Sequence, residues 1–498
     1  MLTKCKALVL VLTFAVTCMA GSPDVMLQGF HWTSHTANWW TVLDDLSDQM
    51  KADGYSLIWL PPSSDAASNE GYLPRELQNF NSQYGSAGQL QDLLNVLNGK
   101  GIGPIADIVV NHRVGCTDFA DFCNPAWPTW YVTADDEWPG CPVGCKSGNH
   151  DSGERYDAAR DLDHHLPQLQ DDIVSWLNQL KSMGYKGWRY DLVKGFAPWA
   201  VQLYNNRTGP AISIGEFFDG DAGAVENWVN QAGNSTAFDF PLRFILIDAF
   251  HNNNYGALQS AGLIGRQPAK AVTFLENHDT EEQRGGAYVQ SFPRHHLEAG
   301  YAYILTHPGV PCVFWTHAYP WGGFPDVSDK IRELIAIRKS QGIHATSSVS
   351  VRAADGSKYA AIVDGSVAVK VGWGDWSPSG DWSLASSGTN YAVWVAGGGD
   401  GGDGGDGGDG GDATTTIRVH YDTGWGNSIS VRGNVAPLSW QSGQAATWTT
   451  GNVWVWQTDA IPAGQGFEFK SLINDATWET GGNHQGSGGQ TIDIYPNF

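Results

Sequence analysis

Cationic residues are scarce in this chain: 29 Lys and Arg stand against 52 Asp and Glu in 498 residues, a formal net charge of -23. Such an acidic excess repels polyanions and argues against nucleic acid as a partner. A neutral polymer and a bound divalent cation remain compatible with it. Long hydrophobic runs are missing as well. The run from Ala7 to Val16 is too short to span a bilayer. With Lys4 and Lys6 before it and small residues ahead of Gly21, it has the layout of a secretory signal over residues 1–20. The rest is expected to be an exported, soluble monomer with no membrane association. Cysteines number only seven, and Cys5 and Cys18 fall inside the signal. Cys116, Cys123, Cys141 and Cys145 cluster in one loop region, where disulfides or a zinc site are both conceivable and spacing leaves the pairing open. Cys312, in an apolar strand, is expected to be a buried free thiol.

What is abundant points to a barrel. The length suits a large domain plus smaller ones. Apolar strands are expected at Val25–Phe30, Ser56–Leu60, Gly103–Val110, Thr236–Phe240, Val272–Leu275 and Pro311–Trp315. Helical periodicity marks Trp40–Met50, Gln170–Met183 and Ser328–Ser340. Gly103–Val110 is continuously apolar apart from Asp107, as a parallel strand buried on both faces should be. Three strands close on carboxylates: Gly187-Trp-Arg-Tyr-Asp191, Ile212-Ser-Ile-Gly-Glu216 and Val272-Thr-Phe-Leu-Glu-Asn-His-Asp279. Strand ends of this kind are where a (β/α)8 barrel keeps its chemistry. Three carboxylates in the order Asp, Glu, Asp supply what glycoside hydrolysis needs: a nucleophile, a proton donor held neutral, and further negative charge beside a cationic transition state.

The chain resembles the α-amylase family of glycoside hydrolases, plant-type α-amylases in particular. The resemblance is carried by Gln28-Gly-Phe-His-Trp, Asn69-Glu-Gly-Tyr-Leu-Pro, Ala106-Asp-Ile-Val-Val-Asn-His-Arg, Gly187-Trp-Arg-Tyr-Asp-Leu-Val-Lys-Gly, Gly215-Glu and Glu276-Asn-His-Asp-Thr, in family order between Val25 and Trp394. It implies an α/β fold: a (β/α)8 TIM barrel over residues 21–344 with an inserted domain B at about 111–163, and an antiparallel β domain C over 345–396. The Gly-Gly-Asp repeat at 397–413 has no apolar residue to bury and reads as a self-repelling linker rather than a calcium-binding β-roll. Residues 414–498 are strand-rich and resemble the β-sandwich starch-binding modules of amylases.

By that resemblance Asp191 is the nucleophile, Glu216 the acid and then the base, and Asp279 the stabiliser of the distorted sugar. Arg189 shares the face of Asp191, two residues on, and keeps it ionised; His112, His278, Lys194 and Tyr72 bind substrate. Calcium is implied through Asn111, Asp151 and Asp161 and the carbonyls of Glu154 and Gly195. In the last module Trp440 and Trp478 would stack on glucose while Lys470 and Asn483 bond hydroxyls; the alternative is that both tryptophans are core. Phe217 stands after the acid where the family commonly has Trp. The implied activity is endo-hydrolysis of α-1,4-bonds in starch and related glucans by a retaining mechanism. Its alternatives are an exo-acting maltooligosaccharide-forming amylase and an inactive glucan-binding protein.

Overall fold

Short, fully apolar strands separated by amphipathic helices leave each strand two faces to bury, and a closed parallel barrel wrapped in helices buries both. A computed structural model shows this arrangement. It describes residues 22–281, 291–319, 327–397 and 415–498, except 422, 425, 426, 450–452, 459 and 463. The signal and the linker beyond Gly397 lie outside the described residues.

Eight parallel strands close the barrel: β1 Met26–Gln28, β2 Leu57–Trp59, β3 Gly103–Ile108, β4 Gly187–Tyr190, β5 Ile212–Gly215, β6 Thr236–Phe238, β7 Ala271–Phe274 and β8 Val310–Phe314. Each pairs with its sequence neighbours, and β8 returns to β1 with Met26 opposite Cys312. Helices follow every strand, among them Ala87–Gly99, Pro167–Met183, Ala222–Ala232 and Ser328–Ser340. Ala87–Gly99 is started by a capping box, the Ser86 side chain accepting from Gln89 N while the Gln89 side chain accepts from Ser86 N. Two expectations are adjusted. The helix foreseen at Trp40–Met50 is two, Trp39–Asp45 and Ser47–Asp53, broken at Leu46, where ψ is 0°. The strand foreseen to Phe240 stops at Phe238, because Asp239 caps the helix Phe240–Asn252 through Leu242 N.

Between β3 and the helix Pro167–Met183 the chain makes a long excursion of turns, with a two-residue ribbon of His112–Arg113 against Arg160–Asp161 at its base. Two disulfides tie it, Cys116–Cys123 and Cys141–Cys145, and Cys312 is a buried free thiol. After the barrel, five antiparallel strands between Val349 and Ala396 form a sheet whose inner residues Val367, Val369, Val371 and Val393 join the barrel's core. The described residues from Thr415 to Phe498 belong to a second compact unit. Its two sheets enclose a separate core that includes Ile417, Val431, Trp456, Phe467 and Phe469. No described helix is long and apolar enough to cross a membrane.

Candidate active site

The register of β3 against β4 places Asp107 directly opposite Arg189. Parallel strands point every second side chain into the barrel, so Arg189 and Asp191 share that direction. The Arg189 guanidinium is 0% exposed and must be compensated where it lies. Nη1 donates to Asp107 Oδ1 at 2.8 Å and to Asp191 Oδ1 at 2.7 Å, and Nη2 sits 2.8 Å from Glu216 Oε2. Asp107 receives two more bonds, from Trp59 Nε1 and from the Tyr72 hydroxyl. The guanidinium also lies over the Trp59 ring, 4.7 Å from its centroid. Asp191 follows the last residue of β4 and Glu216 the last of β5. Leu192, at φ 46°, turns its N–H toward Glu216 Oε2 at 3.0 Å.

Burial is the largest influence on all three carboxyls around this guanidinium. It pushes Glu216 up to about 8, with Asp191 and Asp279 adding repulsion against the pull of Arg189. Asp191 rises less, to about 6, because the Arg189 charge and hydrogen bond oppose burial, and Asp107 likewise reaches about 6. The environments therefore separate two adjacent carboxyls by their proton affinity, one favouring the acid form near neutrality and the other the anion.

Asp279 joins them from the loop after β7. His278 Nε2 is 3.3 Å from its Oδ2, and His278 Nδ1 shares a hydrogen bond with the Gln28 amide. Tyr72 and His278 stack at 5.3 Å, and Trp32 lies nearly parallel to both. A cleft of about 380 Å³ opens over this group; Tyr72, His112, Asp191, Glu216, His278 and Asp279 all line it. Lys194 lines it too, held by Asp219 at 2.8 Å, and His112 Nε2 shares a bond with the Tyr72 carbonyl. Tyr156, half exposed, faces His112 with ring centroids 6.4 Å apart.

Several of these residues were missed in the sequence. Asp107 signalled itself as the one charge in an apolar strand, and Gln28 and Trp32 bound the segment Gln28-Gly-Phe-His-Trp without being singled out; Tyr156 gave no signal. Phe217, directly after Glu216, packs on Trp228 and under Lys194, while Phe218 lines the cleft.

The expected cation ligands converge beside β4. Glu154 N donates to Lys194 O, which brings residues 153–154 against Gly195, and a Cβ on Gly195 would stand 2.0 Å from Asn111 Oδ1. Asn111 Nδ2 donates to Asp161 Oδ1 at 3.2 Å. Asn111 Oδ1, Asp151 Oδ2, Asp161 Oδ2 and Glu137 Oε2 are buried oxygens with no hydrogen-bond donor. Asp136, Glu137 and Asp161 hold carboxylate oxygens within 4.8 Å of one another, and burial and the Glu137 neighbour push Asp161 up to about 9. Oxygen-only donors, crowded and unprotonated at a cost, fit a hard divalent cation. Asp136 and Glu137 were not foreseen.

In the second unit Trp440 and Trp478 sit with ring centroids 6.2 Å apart, Trp478 being 39% exposed. Lys470 Nζ is engaged by the carbonyls of Glu479 and Gly481, and Asn483 donates to the Glu468 carboxylate.

Known proteins match this chain along most of its length. The family described as "Alpha amylase, catalytic domain" matches residues 44–207, and "Alpha-amylase C-terminal beta-sheet domain" matches 340–395. A probable alpha-amylase 2 of Arabidopsis thaliana is 37% identical over 74% of this chain and 94% of its own. A glucan 1,4-alpha-maltotetraohydrolase of Roseateles saccharophilus is 31% identical over 93% of this chain and 92% of its own. A solved gamma-CGTase from Alkalophilic bacillus clarkii shares the fold at a TM-score of 0.57 and 16% identity, covering 97% of this chain and 100% of that one. The barrel, its catalytic-type strand ends and these relatives agree: the chain is a glycoside hydrolase belonging to the α-amylase family.

Proposed function

We propose that this is a secreted, monomeric α-amylase that cuts α-1,4-bonds inside starch and related glucans with retention of configuration. The observation that carries the reading is the shared guanidinium: Arg189 contacts Asp107, Asp191 and Glu216 at once, and the two carboxyls that face the cleft differ in proton affinity.

A glucose unit over Tyr72 presents its anomeric carbon to Asp191. Glu216, protonated, gives its proton to the departing oxygen as Asp191 forms the bond to carbon, so the leaving chain departs neutral as its 4-hydroxyl. Glu216, now a carboxylate, takes a proton from water, and that water displaces Asp191 from the same carbon. Four carboxyl groups (Asp107, Asp191, Glu216 and Asp279) gather near one buried guanidinium, and the surplus negative charge favours the oxocarbenium-like transition state. His112 and His278 supply polar atoms for sugar hydroxyls, and Tyr72, His278 and Trp32 offer parallel ring faces. Lys194 holds the far side of the cleft through Asp219.

Calcium would be held by Asn111, Asp151 and Asp161 with the carbonyls of Glu154 and Gly195, and it would supply a fixed charge that joins the excursion to β4. The Trp440–Trp478 pair supports a starch-binding role for the second unit. A second reading, exo-acting release of a short maltooligosaccharide, is favoured by the maltotetraohydrolase relatives, which match nearly the whole chain.

The product time course from soluble starch separates the two. Endo attack gives a broad early spread of oligosaccharides and rapid loss of iodine colour; a single short product from the first minutes would replace it by the exo reading. Asp191→Asn is expected to abolish turnover while granule binding persists, and retained turnover would remove the nucleophile assignment.

A further inference from the structure

Asp191 and Glu216 stand at strand ends, but Asp279 stands on a loop and its side chain is 31% exposed. Neither a strand nor burial aims it. We propose that Glu276, a buried carboxylate outside the cleft, is the positioning residue for Asp279: anchored on Arg243, it fixes the turn at residues 277–280 and with it the direction of the stabilising carboxylate. The proposal rests on the hydrolase reading above, in which Asp279 faces the cationic sugar.

The anchor is built on the neighbouring helix. Asp239 caps Phe240–Asn252, and its carboxylate also accepts from Leu263 N and Ile264 N, while Arg243 N donates to its carbonyl. The Arg243 side chain is fully buried at the end of β7. Its Nε donates to the Leu275 carbonyl at 2.9 Å and its Nη2 to Glu276 Oε1 at 3.2 Å. A guanidinium so placed needs a compensating anion, and Glu276 supplies it. Phe292 N donates to the same Oε1, and the Thr280 hydroxyl donates to Oε2 at 2.6 Å. Arg243, Phe292 and Thr280 all donate, so the side chain works as the carboxylate, an acceptor only.

The Thr280 hydroxyl carries the link into the turn. While it donates to Glu276 it accepts from Asn277 N at 2.9 Å. Asn277 is buried, and its Oδ1 accepts from Asp279 N and Thr280 N, both at 3.0 Å. An Asn side chain bonded to the N–H two residues on is a local device that sets the backbone of a turn. A chain of hydrogen bonds thus runs from Arg243 to the Asp279 amide. His278 and Asp279 line the cleft, whereas Arg243, Glu276, Asn277 and Thr280 do not. A carboxylate that acts by its charge must point where the positive charge develops, and a misplacement of about 1 Å costs about a hundredfold in rate.

The test is a double-mutant cycle on the full chain, read as kcat and KM on soluble starch. Thr280→Val keeps the shape of the side chain and removes the hydroxyl that joins Glu276 to the turn. It is expected to lower kcat about ten- to hundredfold with KM within about twofold. Thr280→Ser, which restores the hydroxyl, should recover most of the rate. Glu276→Leu with Arg243→Met removes the anchor without leaving a buried charge unpaired, and should give the same loss. In the Asp279→Asn background no charge is left to aim, so adding Thr280→Val should cost less than about twofold more. Equal loss in both backgrounds would make the network a support of the fold and overturn the proposal, as would wild-type kcat in Thr280→Val or in the Arg243 and Glu276 pair. Wild-type kcat in Asp279→Asn alone would remove the stabiliser reading and the proposal with it. Asp279→Asn impaired beside an unimpaired Thr280→Val would sink the proposal alone.

Discussion

Arg189 has no exposure at all, and each of its three ion-pair partners is a carboxyl whose protonation decides what the site can do. The nucleophile must be ionised and the proton donor neutral. Asp191, at about 6, loses its charge as pH falls through that value; Glu216, at about 8, loses its proton as pH rises through that one. Activity should therefore form a plateau between about pH 6 and 8, falling on both sides, in a kcat/KM profile on soluble starch. Asp279 is one of the charges that hold Glu216 high. In Asp279→Asn the alkaline limb of the residual activity should move to lower pH, because a charge opposing ionisation of Glu216 has gone. A limb that stays in place would mean that burial and Asp191 hold the Glu216 proton without Asp279. At this scale the sequence was legible where residues sit on strands. Arg189 and Asp191 are two apart, and period two fixes their common face. Asp107 was legible as a buried charge but not as the partner of Arg189, since the register of β3 against β4 is a tertiary fact. Phe217 and Phe218 lie past the strand end, where no period dictates which of the two turns inward.

Strands buried on both faces read as apolar runs, which is why six of the eight barrel strands could be placed from composition along with the two that end on Asp191 and Glu216. The excursion between β3 and the helix Pro167–Met183 has no such regularity. Its turns are held by side chains: the Asp136 carboxylate takes Arg160 Nη1 and Asp161 N, and Arg113 donates to the carbonyls of Arg75 and Pro125. Nothing in spacing marks Asp136 and Glu137 as neighbours of Asp161. A cation at Asn111, Asp151 and Asp161 would tie this element to β4, and Gly195 is where the tie is tightest. A Cβ there would stand 2.0 Å from Asn111 Oδ1, a contact no backbone tolerates without moving the ligand. Gly195→Ala should raise the calcium concentration that half-restores the melting temperature of chelated protein by about tenfold or more. It should also sensitise residues 111–163 to protease in low calcium. Wild-type calcium dependence in this variant would place the cation elsewhere.

The whole molecule joins two units with separate cores, one running from Val25 to Val393 and the other from Ile417 to Ile494. Their separation predicts that either can lose the other without losing its fold. The cleft belongs to the first unit: among the described residues, all that line it precede Thr280. The second offers the Trp440–Trp478 pair and no carboxylate cluster of its own around a buried guanidinium among the described residues. Ending the chain at Gly397 should therefore leave kcat/KM on soluble starch unchanged. On granules the same truncation should lower the rate, because a tethered binding module raises the local concentration of enzyme at a surface without altering the barrier. Trp440→Ala with Trp478→Ala in the full chain should reproduce that granule-specific loss, which separates the ring pair from mere bulk. The two assays, run side by side, distinguish the possibilities. Loss on granules alone assigns the second unit to substrate capture; equal loss on both would make it part of what holds the catalytic unit in shape.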